Sequence, residues 1–213
     1  MRSQLHIFDC DGVLILSNRL KTQCFNEIAS KFVPKNLVNQ FVDFHKTNGG
    51  LSRWEKFEYL KDISTDFDLP SVDSLSEEFA SLVDAKSYTI SPIPGALEYV
   101  EKLTKESATI YVVSGGEQSQ VRRILMNLKF NIDRERVFGS PTNKFNHFKN
   151  IRNKHQFSDA MTYGDSLLDA KCAISIKSEF TFVYEDSDIS RKDLEDNISL
   201  EFSSIKNFNN LVA

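Results

Sequence analysis

The sequence lacks any long apolar stretch and any strong excess of charge of one sign. No apolar run approaches the roughly 20 residues that a membrane-spanning helix needs, and the formal net charge of the 213 residues is -4. The N-terminus runs directly into a short strand-like segment rather than into a signal peptide. We therefore predict no membrane partner and no nucleic-acid partner, because nucleic-acid binding calls for a basic patch.

Cysteine is scarce as well. Cys10, Cys24 and Cys172 are widely separated and odd in number, which fits neither a disulfide framework nor a set of metal ligands. A reducing compartment suits such a chain, and we predict a cytoplasmic protein. Cys10 lies between two aspartates, but side chains alternate along an extended segment, so its thiol is expected to point away from them.

The composition is that of an ordinary globular protein, with 40% hydrophobic and 26% charged residues. A first apolar run, Leu5–Phe8, is followed by helix-like segments only, up to about Lys86. After the stiff linker Ser91–Gly95, strands and helices alternate, which is typical of a parallel sheet covered on both faces.

The alternating part of the chain divides into predicted helices and strands. The predicted helices are Ala96–Lys105, Gln118–Leu128, Lys144–Asn153, Leu167–Ile174 and a last one carrying Phe202, Ile205, Phe208 and Leu211; the predicted strands are Ala108–Val113, Val137–Gly139, Asp159–Tyr163 and Phe180–Tyr184. We predict an α/β fold: a doubly wound, Rossmann-like parallel-sheet core of residues 1–15 and 88–213, with a small helical cap domain inserted at 16–87.

Two acidic clusters each follow an apolar strand. They are Asp9-x-Asp11 and Asp165-x-x-x-Asp169. In open parallel sheets, ligands collect beyond the carboxyl ends of the strands, so these side chains are expected to converge. Crowded carboxylates repel one another, and a hard cation such as Mg²⁺, which prefers oxygen ligands, would relieve that repulsion.

Two further segments offer positive charge or hydrogen-bond donors to an anion. Ser114 and Gly115 lie in a predicted strand-to-helix turn, where a hydroxyl and unhindered backbone N–H groups form an anion cradle. Lys144 begins the next helix and is the expected cation. Lys149 is the alternative, and we favour Lys144 because it directly follows the preceding loop.

The order of these segments resembles the haloacid-dehalogenase superfamily. Asp9-Cys10-Asp11-Gly12-Val13-Leu14 is similar to the first motif of the superfamily, Ser114 to the second, Lys144 to the third, and Gly164–Asp169 to the fourth. The position of the inserted helices resembles the helical-cap branch, which includes phosphoglycolate-phosphatase-like and β-phosphoglucomutase-like enzymes.

The resemblance implies a role for each matching residue. Asp9 would attack phosphorus as a nucleophile, and Asp11 would act as general acid and then as general base. Ser114 and Lys144 would hold the phosphoryl oxygens. Dehalogenases of the superfamily lack the second aspartate, so the presence of Asp11 argues against dehalogenation.

The resemblance also implies a magnesium site and contacts with the substrate. Mg²⁺ would be held by Asp9, by the backbone carbonyl of Asp11 and by Asp165, and Asp169 would orient the metal waters or Lys144. Gly12 and Gly115 are predicted to contact the substrate.

The predicted cap holds a candidate second anion-binding point. Ser52 and Glu55 match a capping box, so a helix is expected to start at Arg53. Arg53 and Lys56 lie three residues apart on one face of that helix, and with the helix dipole they are predicted to bind the substrate.

Three hypotheses follow. The first is a Mg²⁺-dependent phosphomonoesterase that acts on a small phosphorylated metabolite such as a sugar or polyol phosphate, as a monomer or small homo-oligomer. The second is a phosphomutase of the β-phosphoglucomutase type. The third, a non-catalytic sensor of phosphorylated metabolites, is disfavoured because Asp11, Lys144 and Asp165 are all present.

Several other conspicuous residues have ordinary structural interpretations. Trp54 and Phe57 are expected in the core of the cap, and His6 is expected to be structural. His147 and His155 are expected at the surface. Asn18 is expected to be a helix N-cap rather than a ligand of the substrate.

Overall fold

The computed structural model describes residues 4–155 and 159–212. Residues 1–3, 156–158 and 213 of the predicted core lie outside the described ranges. Residues 1–3 also belong to the N-terminal segment in which no signal peptide was expected. The α-helices and strands of the described residues are, in chain order, β1 (Leu5–Phe8), β2 (Ile15–Leu16), α1 (Asn18–Ala29), α2 (Lys35–Thr47), α3 (Arg53–Asp62), α4 (Val72–Lys86), β3 (Ser91–Pro92), α5 (Ala96–Lys105), β4 (Thr109–Glu117), α6 (Gln118–Asn127), β5 (Val137–Ser140), α7 (Lys144–Lys154), β6 (Ala160–Gly164), α8 (Leu167–Ile176), β7 (Glu179–Val183), α9 (Arg191–Glu195), β8 (Ser203–Ile205) and α10 (Asn209–Val212).

Six parallel strands form one sheet in the order β5-β4-β1-β6-β7-β8. β1 is buried along its whole length because it lies centrally and both its faces are covered. The chain builds outward through β4 and β5, and then returns to the other side of β1 through β6. This reversal makes the end of β1 a topological switch point, where such sheets bind ligands. The predicted doubly wound α/β fold is confirmed.

The helices α1 to α4, here called the helical unit (residues 18–86), pack around a hydrophobic cluster of their own. Phe25, Phe41, Phe57 and Leu60 lie at its centre with almost no exposed surface. The short antiparallel ribbon of β2 and β3 joins the helical unit to the sheet at both ends. The proposed boundaries of the two domains stay a prediction, although an independent apolar cluster supports the division.

Most predicted elements agree with the observed ones to within a few residues, and α3 begins at Arg53 with the predicted capping box of Ser52 and Glu55. The predicted last helix is wrong. Residues 203–205 form β8 beside β7, and only a short α10 follows. Phe202 packs against one apolar cluster and Ile205 against another, which is the alternation of an edge strand rather than one helix face.

Two of the predictions for single aromatic and histidine residues are confirmed, and two are wrong. His6 and Phe57 are buried, as expected. Trp54 is only half-buried, and its indole N–H donates to Asp73, so its assignment to the cap core is wrong. His147 is buried rather than at the surface, because its ring lies on Phe138. His155 is half-buried against Tyr111.

Across residues 4–155 and 159–212, no helix combines the length and the apolar character needed to cross a bilayer.

Candidate active site

Three buried carboxylates meet at the switch point of the sheet. Asp9 follows β1, Asp165 follows β6, and Asp169 lies in the first turn of α8. One oxygen from each lies within 4.8 Å of the other two. The position of Asp169 is set by a capping box, in which Ser166 accepts from the backbone N–H of Asp169 and donates to its carboxylate. The convergence expected from the two sequence clusters is therefore observed for these side chains.

Lys144 is the cation of this cluster. Its ammonium Nζ lies 2.8 Å from Asp9 Oδ2 and 2.7 Å from Asp169 Oδ1, and its side chain is almost fully buried. Burial alone would lower the pKa of Lys144, but the two carboxylates outweigh it and raise that pKa, so the ammonium stays charged. Lys149, the alternative cation, lies exposed on the outer face of α7.

The cluster has more negative than positive charge. Burial raises the pKa of Asp9 to about 7 against the opposing effect of Lys144, and burial and the neighbouring Asp9 raise the pKa of Asp165 well above its usual range. Three buried carboxyl groups thus face one ammonium. Such a set of oxygen donors fits a hard divalent cation, which would offset the repulsion.

Asp169 fits an orienting role better than that of a direct metal ligand. Its Oδ1 accepts from Lys144, and its Oδ2 accepts from the hydroxyl of Ser166. A carboxylate has about four lone-pair sites. Within the described residues Asp169 accepts from three donors, Asp9 from two and Asp165 from one, so Asp169 keeps the fewest free lone pairs for a metal.

Asp11 points to a different part of the site. Its carboxylate accepts from Ser17 Oγ at 2.6 Å and from Ser114 Oγ at 3.3 Å, and it lies 2.6 Å from Lys21 Nζ. Burial would raise the pKa of Asp11, but Lys21 and Ser17 together lower it. The side chain of Asp11 is thus separate from the three-carboxylate cluster, and only its backbone carbonyl stays a candidate for the predicted metal contact.

Two predicted substrate-contacting glycines are positions of close approach. Gly12 has a φ of +75°, and a Cβ there would overlap the Asp165 carboxylate. A Cβ on Gly115 would overlap the backbone carbonyl of Gly50, which belongs to the helical unit. Ser114 and Gly115 lie within β4 rather than in the predicted strand-to-helix turn, so the loop that contains Gly50 is seated directly on the C-terminal part of this strand. The cavity beneath it has a volume of about 50 Å³.

The helical unit contributes the other wall of this cavity. Arg53 and Lys56 both line it, as the spacing along α3 predicted. Gly115 and Asp9 line it from the sheet side. Six of the predicted site residues therefore line one cavity: Asp9, Asp11, Arg53, Lys56, Gly115 and Asp165. The other four, Gly12, Ser114, Lys144 and Asp169, are not among its lining residues.

The expectation for Asn18 is wrong. Ser17 precedes α1 as its N-cap residue, and Asn18 is the first helical residue. The amide Nδ2 of Asn18 donates to Asp165 Oδ2 at 2.6 Å and to the backbone carbonyl of Asp186 at 2.7 Å. Asp186 caps α1 instead, since its carboxylate accepts from the backbone N–H groups of Ser17 and Asn18.

Sequence reasoning missed several residues that line the cavity. They are Asn18, Lys21, His45, Glu117, Gln120 and Asp188. Lys21 lies three residues after Asn18 in α1, and residues three apart share a helix face, so this spacing was a signal for Lys21. The remaining residues come from three other segments, and no spacing links them to the acidic clusters.

The fold and the site together define a class of protein: an α/β enzyme with a buried carboxylate cluster at the switch point of a parallel sheet. The family model of the haloacid dehalogenase-like hydrolases matches residues 6–183. The chain therefore belongs to that family and is a hydrolase by descent. A comparison with curated proteins found no significant match.

Solved structures share the fold over nearly the whole chain at low sequence identity. A hydrolase from Pseudomonas syringae is 19% identical with a TM-score of 0.74, covering 99% of this chain and 97% of that one. A predicted phosphoglycolate phosphatase from Haemophilus somnus is 15% identical with a TM-score of 0.73, covering 100% and 97%. A proposed β-phosphoglucomutase from Bacteroides vulgatus is 16% identical with a TM-score of 0.75, covering 98% and 86%.

Proposed function

We propose that this hydrolase is a Mg²⁺-dependent phosphomonoesterase that acts on a small phosphorylated metabolite through an aspartyl-phosphate on Asp9. The observation that carries the proposal is the contact of Lys144 with both Asp9 and Asp169 inside a buried cluster of carboxylates. Such an arrangement holds a carboxylate nucleophile in place and offers positive charge to a transferring phosphoryl group.

Each side chain has a task in the proposed reaction. Asp9 attacks phosphorus, and the bond to the leaving oxygen breaks as the bond to the carboxylate forms. Asp11 is ionised in the free protein because Lys21 and Ser17 lower its pKa, and the charge of a bound phosphoryl group raises that pKa. Asp11 then gives a proton to the leaving oxygen and later takes one from the water that hydrolyses the aspartyl-phosphate. Ser114 and the backbone N–H groups beside Gly115 orient the phosphoryl oxygens. Lys144 neutralises the charge that develops on them.

Mg²⁺ would be held by the carboxylates of Asp9 and Asp165 and by the backbone carbonyl of Asp11. When bound, it supplies charge neutralisation to the phosphoryl group. Asp169 positions Lys144 in this scheme, and Asn18 fixes one oxygen of Asp165 by donating to it.

A phosphomutase is the second candidate. It would need a second anion-binding point, and Arg53 has a buried Nε without a hydrogen-bond partner at the wall of the cavity. One similar structure is a proposed β-phosphoglucomutase. A mutase would interconvert isomers in the presence of a bisphosphate activator without releasing phosphate, whereas a phosphatase releases it.

The test is phosphate release from a panel of small phosphoesters, with Mg²⁺ and with EDTA, for the wild type and Asp9→Asn. We expect release only with Mg²⁺, and a loss of at least about 10⁴-fold in kcat for Asp9→Asn, since the nucleophile is removed. Asp43→Asn, an exposed aspartate of α2, is the matched control. Release that persists in Asp9→Asn would refute the covalent mechanism, and release in EDTA would refute the metal requirement.

A further inference from the structure

Lys56 is a buried cation without a carboxylate partner among the described residues. It lies on the inner face of α3 with only 5% of its surface exposed, and it lines the cavity. No carboxylate oxygen within the described ranges lies within 4.0 Å of its ammonium, whereas Lys21 and Lys144 each have one at less than 3 Å. Burying an unpaired ammonium costs several kcal/mol, so this residue lowers the stability of the fold unless a ligand compensates it.

A short hydrogen-bond chain fixes the direction of Lys56. Its Nζ donates to His45 Nδ1 at 2.9 Å, and His45 Nε2 lies 3.0 Å from Thr22 Oγ1. Burial and the nearby Lys56 lower the pKa of His45 to about 2, so the ring is neutral and can accept from the ammonium. The three residues come from α3, α2 and α1. Their hydrogen bonds hold the ammonium of Lys56 at one place without cancelling its charge.

Within the described residues, the other charged groups that line the cavity form no ion pair with Lys56. Lys21 is already paired with Asp11. Glu117 caps α6 by accepting from Ser119 and Gln120. Asp188 lines the same cavity but makes no contact with Lys56 within 4.0 Å.

Burial and the neighbouring Lys21 lower the pKa of Lys56 to about 7. A ligand anion beside the ammonium would reverse this effect, because an opposite charge nearby favours the charged form. The binding of an anion beside Lys56 is therefore electrostatically favourable.

We propose that the hydrogen-bonded residues Thr22, His45 and Lys56 form a specificity site. This site binds a second anionic group of the substrate, a carboxylate or a phosphate, at the end remote from the reacting phosphoryl group. Lys56 supplies the charge, His45 is the positioning residue, and Thr22 orients His45. The proposal rests on the proposed phosphatase function and narrows its substrates, because a neutral sugar or polyol end would leave the buried ammonium unpaired.

The kinetic test uses pairs of substrates that differ in the charge of the remote end. Glycerol 3-phosphate and 3-phosphoglycerate differ by a carboxylate, and glucose 6-phosphate and glucose 1,6-bisphosphate differ by a phosphate. We expect a higher kcat/KM for the anionic member of at least one pair, and the pair that shows it identifies the group. Lys56→Met should reduce that value by about 100-fold and change the value for the neutral member by less than about 3-fold.

His45→Asn tests the positioning role. It should raise KM for the anionic member by about 10-fold with little change in kcat, because the ammonium is still present but no longer aimed. Lys61→Met is the matched control, since Lys61 is an exposed lysine of the same helix. It should leave the kinetics with both members of each pair unchanged.

Thermal unfolding separates a ligand site from a structural lysine. Lys56→Met should keep the melting temperature or raise it, because the removal of a buried, unpaired charge outweighs the loss of the hydrogen bond to His45 Nδ1. A clear fall in the melting temperature of Lys56→Met would mean that Lys56 serves the fold, and would overturn the proposal.

The outcomes also distinguish this inference from the function on which it rests. If no phosphoester is hydrolysed, the phosphatase function itself fails. If phosphate is released but Lys56→Met lowers kcat/KM equally for charged and neutral members, the phosphatase function stands and the specificity site is refuted.

Discussion

The two walls of the cavity differ in the sign of the charged groups that predominate in them. On the sheet side, Asp9, Asp165 and Asp169 face Lys144, so negative charge is in excess. On the side of the helical unit, Arg53 and Lys56 face the cavity without an ion-paired carboxylate among residues 4–155 and 159–212, so positive charge is in excess. Both walls are buried, and buried charge is costly unless something compensates it.

The difference between the walls indicates what each one is for. An excess of carboxylate on a rigid sheet suits a cation and a reacting phosphoryl group, both of which recur in every turnover. An excess of ammonium on the helical unit suits the variable part of a substrate. The sheet wall would then determine the reaction, and the wall of the helical unit would determine which phosphoester reacts.

The largest effect on the sheet wall is expected for Lys144→Met. Removing the ammonium leaves Asp9 and Asp169 buried without an opposing charge, so we expect kcat to fall by about 10²–10³-fold and the free energy of unfolding to fall by about 3–5 kcal/mol. Phosphate release and chemical denaturation measure the two effects. Lys149→Met, on the exposed face of the same helix, is the control, and a Lys144→Met enzyme within 3-fold of the wild type would contradict the assignment.

A smaller effect is expected where the two walls touch. Gly115→Ala would drive a methyl group into the backbone carbonyl of Gly50, so the loop of the helical unit would be displaced from the C-terminal part of β4. A displacement of about 1 Å costs up to about 10²-fold in rate, and we expect kcat/KM to fall by 10- to 100-fold with a nearly unchanged melting temperature.

Gly49→Ala is the comparison variant for this contact. A Cβ at Gly49 meets only the side chain of Ser166, at 3.2 Å. Equal kinetics for Gly115→Ala and Gly49→Ala would show that the seating of the loop does not matter for turnover.

The smallest effect is expected at the rim, where Arg123 of α6 contacts Asp84 of α4 at 2.6 Å. Both side chains are nearly half exposed, so solvent screens the pair. Arg123→Ala should lower the free energy of unfolding by at most about 1 kcal/mol and leave kcat within about 2-fold. A double-mutant cycle with Asp84→Ala isolates the pair, and a coupling of several kcal/mol would show that this contact holds the two walls together.

The sequence predicted the sheet wall well, because each of its residues lies at the end of an apolar strand or at the start of a helix. Asp9, Asp11 and Asp165 follow strands, Ser114 lies in the C-terminal part of β4, and Lys144 opens α7. The carboxyl ends of parallel strands meet at one edge of the sheet, so local patterns are enough to bring these residues together.

The same reasoning failed where packing rather than a local pattern decides. Asn18 looked like a helix cap but reaches Asp165, and the last predicted helix became an edge strand beside β7. His147 was expected at the surface but is buried against Phe138. Each error came from a contact with another helix or strand, which the local pattern does not encode.

The sequence by itself therefore determined the class of fold, the order of the acidic and basic motifs and the edge of the sheet where they meet, because strand and helix periodicities and their end signals are local. Only the tertiary structure decided that Asp11 pairs with Lys21 instead of joining the other carboxylates, and that His45 holds Lys56 in the opposite wall. Those contacts depend on how α1, α2 and α3 pack against one another and over the sheet, and no local pattern encodes that packing.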